Sequence, residues 1–189
     1  MRELSLHIMD IIENGIGAGA TRIKIEITES VKKNLLTITV SDNGKGISKD
    51  LLEKVMDPFF TTRTTRRVGL GLSLFHQASK QCNGKFHIRS KEHEGTEVSA
   101  SFQLDHIDRV PLGDMAASIT SLVMGNENVD FEYIHMMDGQ SFHINTRQIR
   151  EELGHVPINH PKVIRYIGNT IRESLEEIRR TQKNEVPQV

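Results

Sequence analysis

LLTITVSDNGKGI, residues 35–47, is the stretch on which the reading of this chain turns. Its first half, LLTITV, is rich in apolar and β-branched residues and reads as a strand. The strand runs directly into Asp42, and Gly44 and Gly46 follow one residue apart. Glycine lets a backbone come close to a ligand or take φ > 0. The stretch is therefore either a plain turn, for which Asn43-Gly44 is a common dipeptide, or a docking point that needs a carboxylate beside bare backbone.

Working outward, TRIKIEIT before this strand alternates apolar and polar residues and predicts a second strand, the pair forming an antiparallel hairpin through SVKKN. Leu4, Ile8, Ile11 and Ile12 recur at helical spacing, predicting an amphipathic helix over residues 3–16. NGIGAGA loosens its end with glycines that have no local explanation. After SDNGKGI, Ser48 caps a short helix, KDLLEKVM. DPFFTTRTTRRVGLGL follows without periodicity, and a helix resumes over residues 70–81. KFHIRS and TEVSASFQL are two more strands. Strands in pairs with helices between them predict a mixed sheet with helices packed on one face.

A boundary is expected near residues 105–111. Beyond it come a helix in LGDMAASITSLVM, two strands flanking the hairpin signal Asp138-Gly139, TRQIREEL, and a long charged helix over residues 161–180. That helix is expected to pack on the first unit or on a second copy of the chain, and TQKNEVPQV to fray. Met136, Met137, Phe131 and Phe142 are expected to form a small core of their own. His135, His143, His155 and His160 lack the spacing of a metal-ligand set.

The bulk numbers narrow the class. The 189 residues suit one domain, or one with a small annex. With 37% hydrophobic and 26% charged residues there is enough apolar material for a core. A net charge of −1 gives no global pull toward nucleic acid or membrane. The single cysteine, Cys82, excludes a disulfide framework and fits the cytoplasm. No apolar run approaches the roughly 20 residues of a membrane span, and the first residues do not read as a secretion signal.

Four features carry chemistry. Asp10 and Asn14, four apart, share one face of the first helix, with His7 one turn back. Glu13 points about 100° away. Alone, this column reads more readily as a solvated stripe, because charged and polar residues are mostly exposed. A carboxylate such as Asp42 at a strand end can accept a hydrogen bond from an exocyclic amine like that of adenine. Gly69 and Gly71 in VGLGL stand where a loop enters a helix, and bare amides at a helix N-terminus suit a phosphate. Between these, Thr61, Thr62, Arg63, Arg66 and Arg67 form a local threonine- and arginine-rich loop of the length typical of lids.

Taken in order, these four features resemble the GHKL superfamily of gyrase-type topoisomerases, heat-shock-90-type chaperones, histidine kinases and mismatch-repair ATPases. The resemblance spans residues 4–104. It implies a Bergerat-type ATP-binding fold over residues 1–105, a two-layer α/β sandwich, leaving residues 106–189 as a small α+β annex. It further implies that Asn14 coordinates Mg²⁺ on the phosphates and that Asp42 holds the adenine amine in a pocket shaped by Gly44 and Gly46. Gly69, Leu70, Gly71 and Leu72 would meet the phosphates, Thr96 would support the adenine site, and residues 57–68 would be the ATP lid, including Thr61, Thr62, Arg63 and Arg66. One asparagine suffices for Mg²⁺, which prefers phosphate oxygens and water.

One departure matters. Hydrolysing and serine-kinase members place a glutamate four residues before the asparagine as general base; here that residue is Asp10, one methylene shorter. The expected function is that of a Mg-ATP-dependent protein kinase or slow ATPase that regulates a protein partner, with a nucleotide-dependent binding module lacking turnover as the alternative. No dimerising helix pair precedes the binding helix, and about 85 residues are too few for a transducer domain, so stand-alone members such as the anti-sigma-factor kinases are the expected kin. A competing pattern, Gly15-x-Gly17-x-x-Ala20, partly matches a dinucleotide-binding fingerprint. It requires a helix afterwards, where TRIKIEIT reads as a strand.

Overall fold

The computed structural model describes residues 2–52 and 70–185. Helix α1 (Leu4–Gly17) leads into the hairpin β1 (Arg22–Ser30) and β2 (Leu35–Asp42), then α2 (Lys49–Leu52). Helix α3 (Leu70–Gln81) precedes a second hairpin, β3 (Phe86–Lys91) and β4 (Gly95–Gln103). The chain continues through α4 (Met115–Gly125), β5 (Asp130–Met137), β6 (Gln140–Asn145), α5 (Thr146–Leu153) and α6 (Pro161–Glu185). The strands form one six-stranded sheet in the order β3-β4-β2-β1-β5-β6. Among the described residues only the β1–β5 pairing is parallel, so the sheet is mixed.

Period-two alternation makes this a two-layer structure. Ile23, Ile25 and Ile27 of β1, Leu36, Ile38 and Val40 of β2, and Val98, Ala100 and Phe102 of β4 are all buried on one face. They share a core with Leu4, Ile8 and Ile12 of α1, Phe75 of α3, Ile119 and Val123 of α4, and Ile167 and Ile171 of α6. Each such side chain contributes roughly 1.5–3 kcal/mol by leaving water. The opposite face carries Lys24 and Glu26, paired at 3.0 Å, and the hydroxyls of Thr39 and Ser99 at 3.1 Å.

Two expectations need correction. The strands after residue 105 do not build a separate core. β5 zips onto β1 from Arg22↔Asp130 to Glu29↔Met137, and Phe131 and Tyr133 join the common core. Once Phe131, Tyr133, His135 and Met137 alternate inward, docking on the free edge of β1 buries more than an isolated hairpin could. The final helix does not fray at residue 181 but runs to Glu185; nothing in TQKNE breaks it, and Pro187 is the next residue unable to continue a helix. It packs within the chain through Val163, Ile167, Ile171, Leu175 and Ile178. The dinucleotide pattern fails as the sequence context predicts: α1 runs into NGIGAGA as far as Gly17, and a strand follows it. Among the described residues no helix is long and apolar enough to cross a membrane.

The connection from β4 to α4 also fixes α1. Glu3 supplies no side-chain cap. Instead the Leu4 and Ser5 amides donate to the carbonyls of Pro111 (3.0 Å) and Leu112 (2.8 Å). Two of the amides a helix start leaves without partners are thereby satisfied.

Candidate functional site

Helix α1 brings the separate motifs together. Gly15, beside Asn14, lies so close to β2 that a Cβ there would stand 3.0 Å from the Cβ of Asp42. A Cβ on Gly71, in the first turn of α3, would stand 3.1 Å from the Cβ of Asp10 and 3.3 Å from its Oδ2. The half-buried Asp10 therefore lies against the start of α3, and Gly15 places the other end of α1 against Asp42. Asn14 is exposed at that end. Bare backbone at residues 15 and 71 is what permits both approaches, and this accounts for Gly15, which the sequence left unexplained.

Asp42 ends β2. Its Oδ1 accepts a hydrogen bond from the Gly44 amide at 2.8 Å, so the turn reading holds. Burial pushes its carboxyl above its ordinary value, and hydrogen bonds from the Gly44 and Thr96 amides pull it back only in part. A carboxylate held with incomplete compensation for lost water is one that a ligand donor can still stabilise.

The loop after Asp42 is stitched down on both sides. Toward α1, Asn43 Oδ1 accepts from the Thr21 and Arg22 amides at 2.9 and 2.8 Å, its Nδ2 donates to Thr21 Oγ1 at 3.0 Å, and the Lys45 amide donates to the Ala18 carbonyl at 3.0 Å. Toward the β3–β4 hairpin, the Ile47 amide donates to Ser90 Oγ at 2.8 Å and the His93 amide to the Lys45 carbonyl at 2.8 Å. Gly46, at φ 67°, passes so close to Lys91 that a Cβ would run into its carbonyl oxygen. Gly95 meets the Asp42 carbonyl in the same way. Thr96 is the register partner of Asp42 across β2–β4, and its Oγ1 lies 2.9 Å from Ser90 Oγ.

Of the residues singled out in the sequence, the structure thus gathers Asp10, Asn14, Asp42, Gly44, Gly46, Gly71 and Thr96 around α1 and the adjoining strand ends. Leu72 is buried in the core, so its side chain is not at the site surface. Thr61, Thr62, Arg63, Arg66 and Gly69, with the rest of the expected lid, lie outside the described residues, as does the Leu70 side chain. Asn43 and Ser90 were missed. Asn43 sat inside the motif, read only as a turn former. Ser90 could have been found by counting register back through the HEGT turn to Thr96.

The donor set suits a hard cation shared with phosphates. Among the described residues there is no group of three His, Cys, Asp or Glu that could cage a metal alone. An exposed asparagine oxygen one helical turn from a carboxylate matches the sparse protein ligation Mg²⁺ accepts.

The model of the family described as "Histidine kinase-, DNA gyrase B-, and HSP90-like ATPase" matches residues 2–106. A putative sensor protein of Shewanella frigidimarina is 30% identical over 109 residues, covering 57% of this chain and 17% of that protein. The sensor histidine kinase ZraS of Escherichia coli K12 is 33% identical over 106 residues, 56% of this chain and 23% of that one. Sporulation kinase D of Bacillus subtilis is 32% identical over 92 residues, 49% and 18% respectively. The chain thus spans less than a quarter of the length of these curated relatives. In fold it is similar to the Aquifex aeolicus MutL ATPase domain complexed with ADP, with a TM-score of 0.52 and 19% identity over 81% of this chain and 69% of that one. That likeness extends past the family match into the C-terminal segment.

Proposed function

The chain belongs to the histidine kinase-, DNA gyrase B- and HSP90-like ATPase family, and from that premise we propose that it binds Mg-ATP along α1 and works as a protein kinase or slow ATPase that regulates a protein partner. The observation that carries this is the paired approach of Gly15 to Asp42 and of Gly71 to Asp10. It supports the reading by bringing Asp42, Asn14 and the N-terminus of α3 together along one helix, where bare amides at a helix start suit a phosphate. The resemblance supplies the roles. Asp42 accepts the adenine amine, Gly44 and Gly46 admit the base, and Thr96 supports it. Asn14 holds Mg²⁺, which when bound neutralises phosphate charge. The α3 start offers amides.

Phosphoryl transfer is mostly positioning and charge neutralisation. The bond between the γ-phosphorus and its bridging oxygen breaks, its electrons leave with ADP, and a new bond forms to the oxygen of a protein hydroxyl or of water. The proton of that hydroxyl passes to Asp10. The alternative is a nucleotide-gated binding module without turnover, which the shortness of the Asp10 side chain leaves open. Asp10→Asn separates the two: release of γ-phosphate from ATP should fall about 100-fold or more, and unchanged release would remove Asp10 as the base. The primary test is calorimetric titration with a non-hydrolysable ATP analogue, with and without Mg²⁺. Mg²⁺-dependent binding is expected, and no binding at millimolar nucleotide would end the proposal.

A further inference from the structure

Ser90 of β3 pairs in register with Thr96 of β4, which pairs in turn with Asp42 of β2. These three side chains form a polar row at one end of the sheet. Ser90 Oγ accepts from the Ile47 amide at 2.8 Å, lies 2.9 Å from the Gly95 carbonyl oxygen, and lies 2.9 Å from Thr96 Oγ1. A serine hydroxyl has one proton and two lone pairs. The Gly95 carbonyl can only accept, so that contact is a hydrogen bond only if Ser90 spends its proton there. Thr96 must then donate its own proton to Ser90. The opposite assignment leaves Ser90 and the Gly95 carbonyl oxygen-to-oxygen at 2.9 Å with no proton between them.

We propose that Ser90 is a specificity-determining residue: by absorbing the Thr96 proton it turns the base-reading end of the site into an acceptor-only edge that selects a 6-aminopurine nucleotide over a 6-oxopurine one. The inference rests on the nucleotide reading above. Thr96 Oγ1, its proton spent, offers only lone pairs. Asp42, as a carboxylate taking the Gly44 and Thr96 amides, also offers only lone pairs. Two acceptors suit the exocyclic amine of adenine. They oppose the 6-carbonyl of guanine, because an acceptor facing an acceptor leaves both without a partner. Ser90 touches no base itself; it acts through Thr96, and its bond to Ile47 keeps the loop bearing Gly44 and Gly46 at the same place.

The test measures affinity for the non-hydrolysable analogues of ATP and GTP on the full chain. Wild type should prefer the adenine nucleotide. Ser90→Ala frees the Thr96 hydroxyl to rotate and donate, so the preference should narrow about tenfold, chiefly through a gain for the guanine analogue. Ser90→Thr, which keeps the hydroxyl, should hold the wild-type ratio. In a Thr96→Ala background Ser90→Ala should no longer change the ratio, since no hydroxyl remains to turn. If Ser90→Ala does not fold, Ser90→Cys keeps the volume with a weaker acceptor and should narrow the ratio by a smaller factor in the same direction. Loss of affinity for both nucleotides at a constant ratio would make Ser90 a mere loop fastener and overturn the inference, as would equal affinity of wild type for the two. Wild type that binds neither nucleotide overturns the underlying nucleotide reading and this inference with it, and is told apart because the failure precedes any substitution.

Discussion

Two aspartates in this molecule stand at strand ends before glycines and have opposite fates. Asp138 closes β5 at φ 42°, with Gly139 at φ 100°, the geometry of a tight hairpin. Its carboxylate accepts from Ser30 Oγ, the Val31 amide and Gln182 Nε2, each at 3.0 Å. Burial pushes its carboxyl up, but hydrogen bonds from Val31, Ser30, Gln182 and Lys32 outweigh it and hold it below its ordinary value. Asp42 closes β2 with fewer donors, and burial wins. Two buried histidines repeat the contrast. His135 in β5 has both nitrogens engaged, Nδ1 with Tyr133 Oη at 2.7 Å and Nε2 with Glu29 Oε1 at 2.8 Å. His7 in α1, stacked on Phe75 with ring centroids 5.5 Å apart, has a buried Nδ1 with no partner among the described residues. Asp138 and His135 find their partners on β1 and the turn after it as well as on β5 and α6; among the described residues, the half bearing the candidate site leaves Asp42 with fewer donors and His7 Nδ1 with no partner. That is the usual relation between a binding site and the scaffold that supports it.

The largest effect that could break this contrast is at His7. Burial, with a smaller effect of the chain's N-terminal charge, holds its imidazole down to about 4 from 6.5. Between those values the unfolded chain takes a proton that the native state refuses, so stability should fall as pH drops from about 6.5 toward 4. The loss approaches ~3 kcal/mol. Urea unfolding across that window should show the slope in wild type and a flatter curve in His7→Phe, which keeps the stack on Phe75; parallel curves would show that His7 carries no such penalty.

Next in size is the pair of aspartates. Asp42→Asn should weaken binding of the ATP analogue by about 100-fold, the worth of a charge-assisted hydrogen bond, while Asp138→Asn should leave it within about twofold. Because the native Asp42 carboxyl is raised, its favourable contribution exists below its unfolded value and is lost as pH rises through the folded one. At neutral pH Asp42→Asn should therefore bind worse without melting lower. Equal binding losses at the two positions would erase the distinction. The smallest effect sharpens it from the other side. Tyr133 and Glu29 each hold one ring nitrogen of the buried His135. Tyr133→Phe leaves Nδ1 without that partner and should cost about 1–3 kcal/mol in thermal or urea unfolding, with ATP-analogue affinity unchanged. Wild-type stability would mean the chain of three contributes nothing.

Much of this was legible in the sequence. RIKIEIT and LLTITV alternate because successive strand side chains point to opposite faces, and α1 and α3 repeat at helical spacing because theirs do not. Asp10, Asn14, Asp42, Gly71 and Thr96 could be named because each sits in a short motif whose order along the chain is itself informative. What only the tertiary structure decided are the relations between distant segments. Gly15 makes sense only against Asp42, and Ser90 only once three strands are in register. The hairpin of β5 and β6 belongs to the main sheet only because β5 finds the open edge of β1 more than a hundred residues earlier. The physical reason is that periodicity records which side of an element meets the core, a local property. Which donor reaches which carboxylate depends on the closed packing of the whole chain, and no neighbouring residue carries that information.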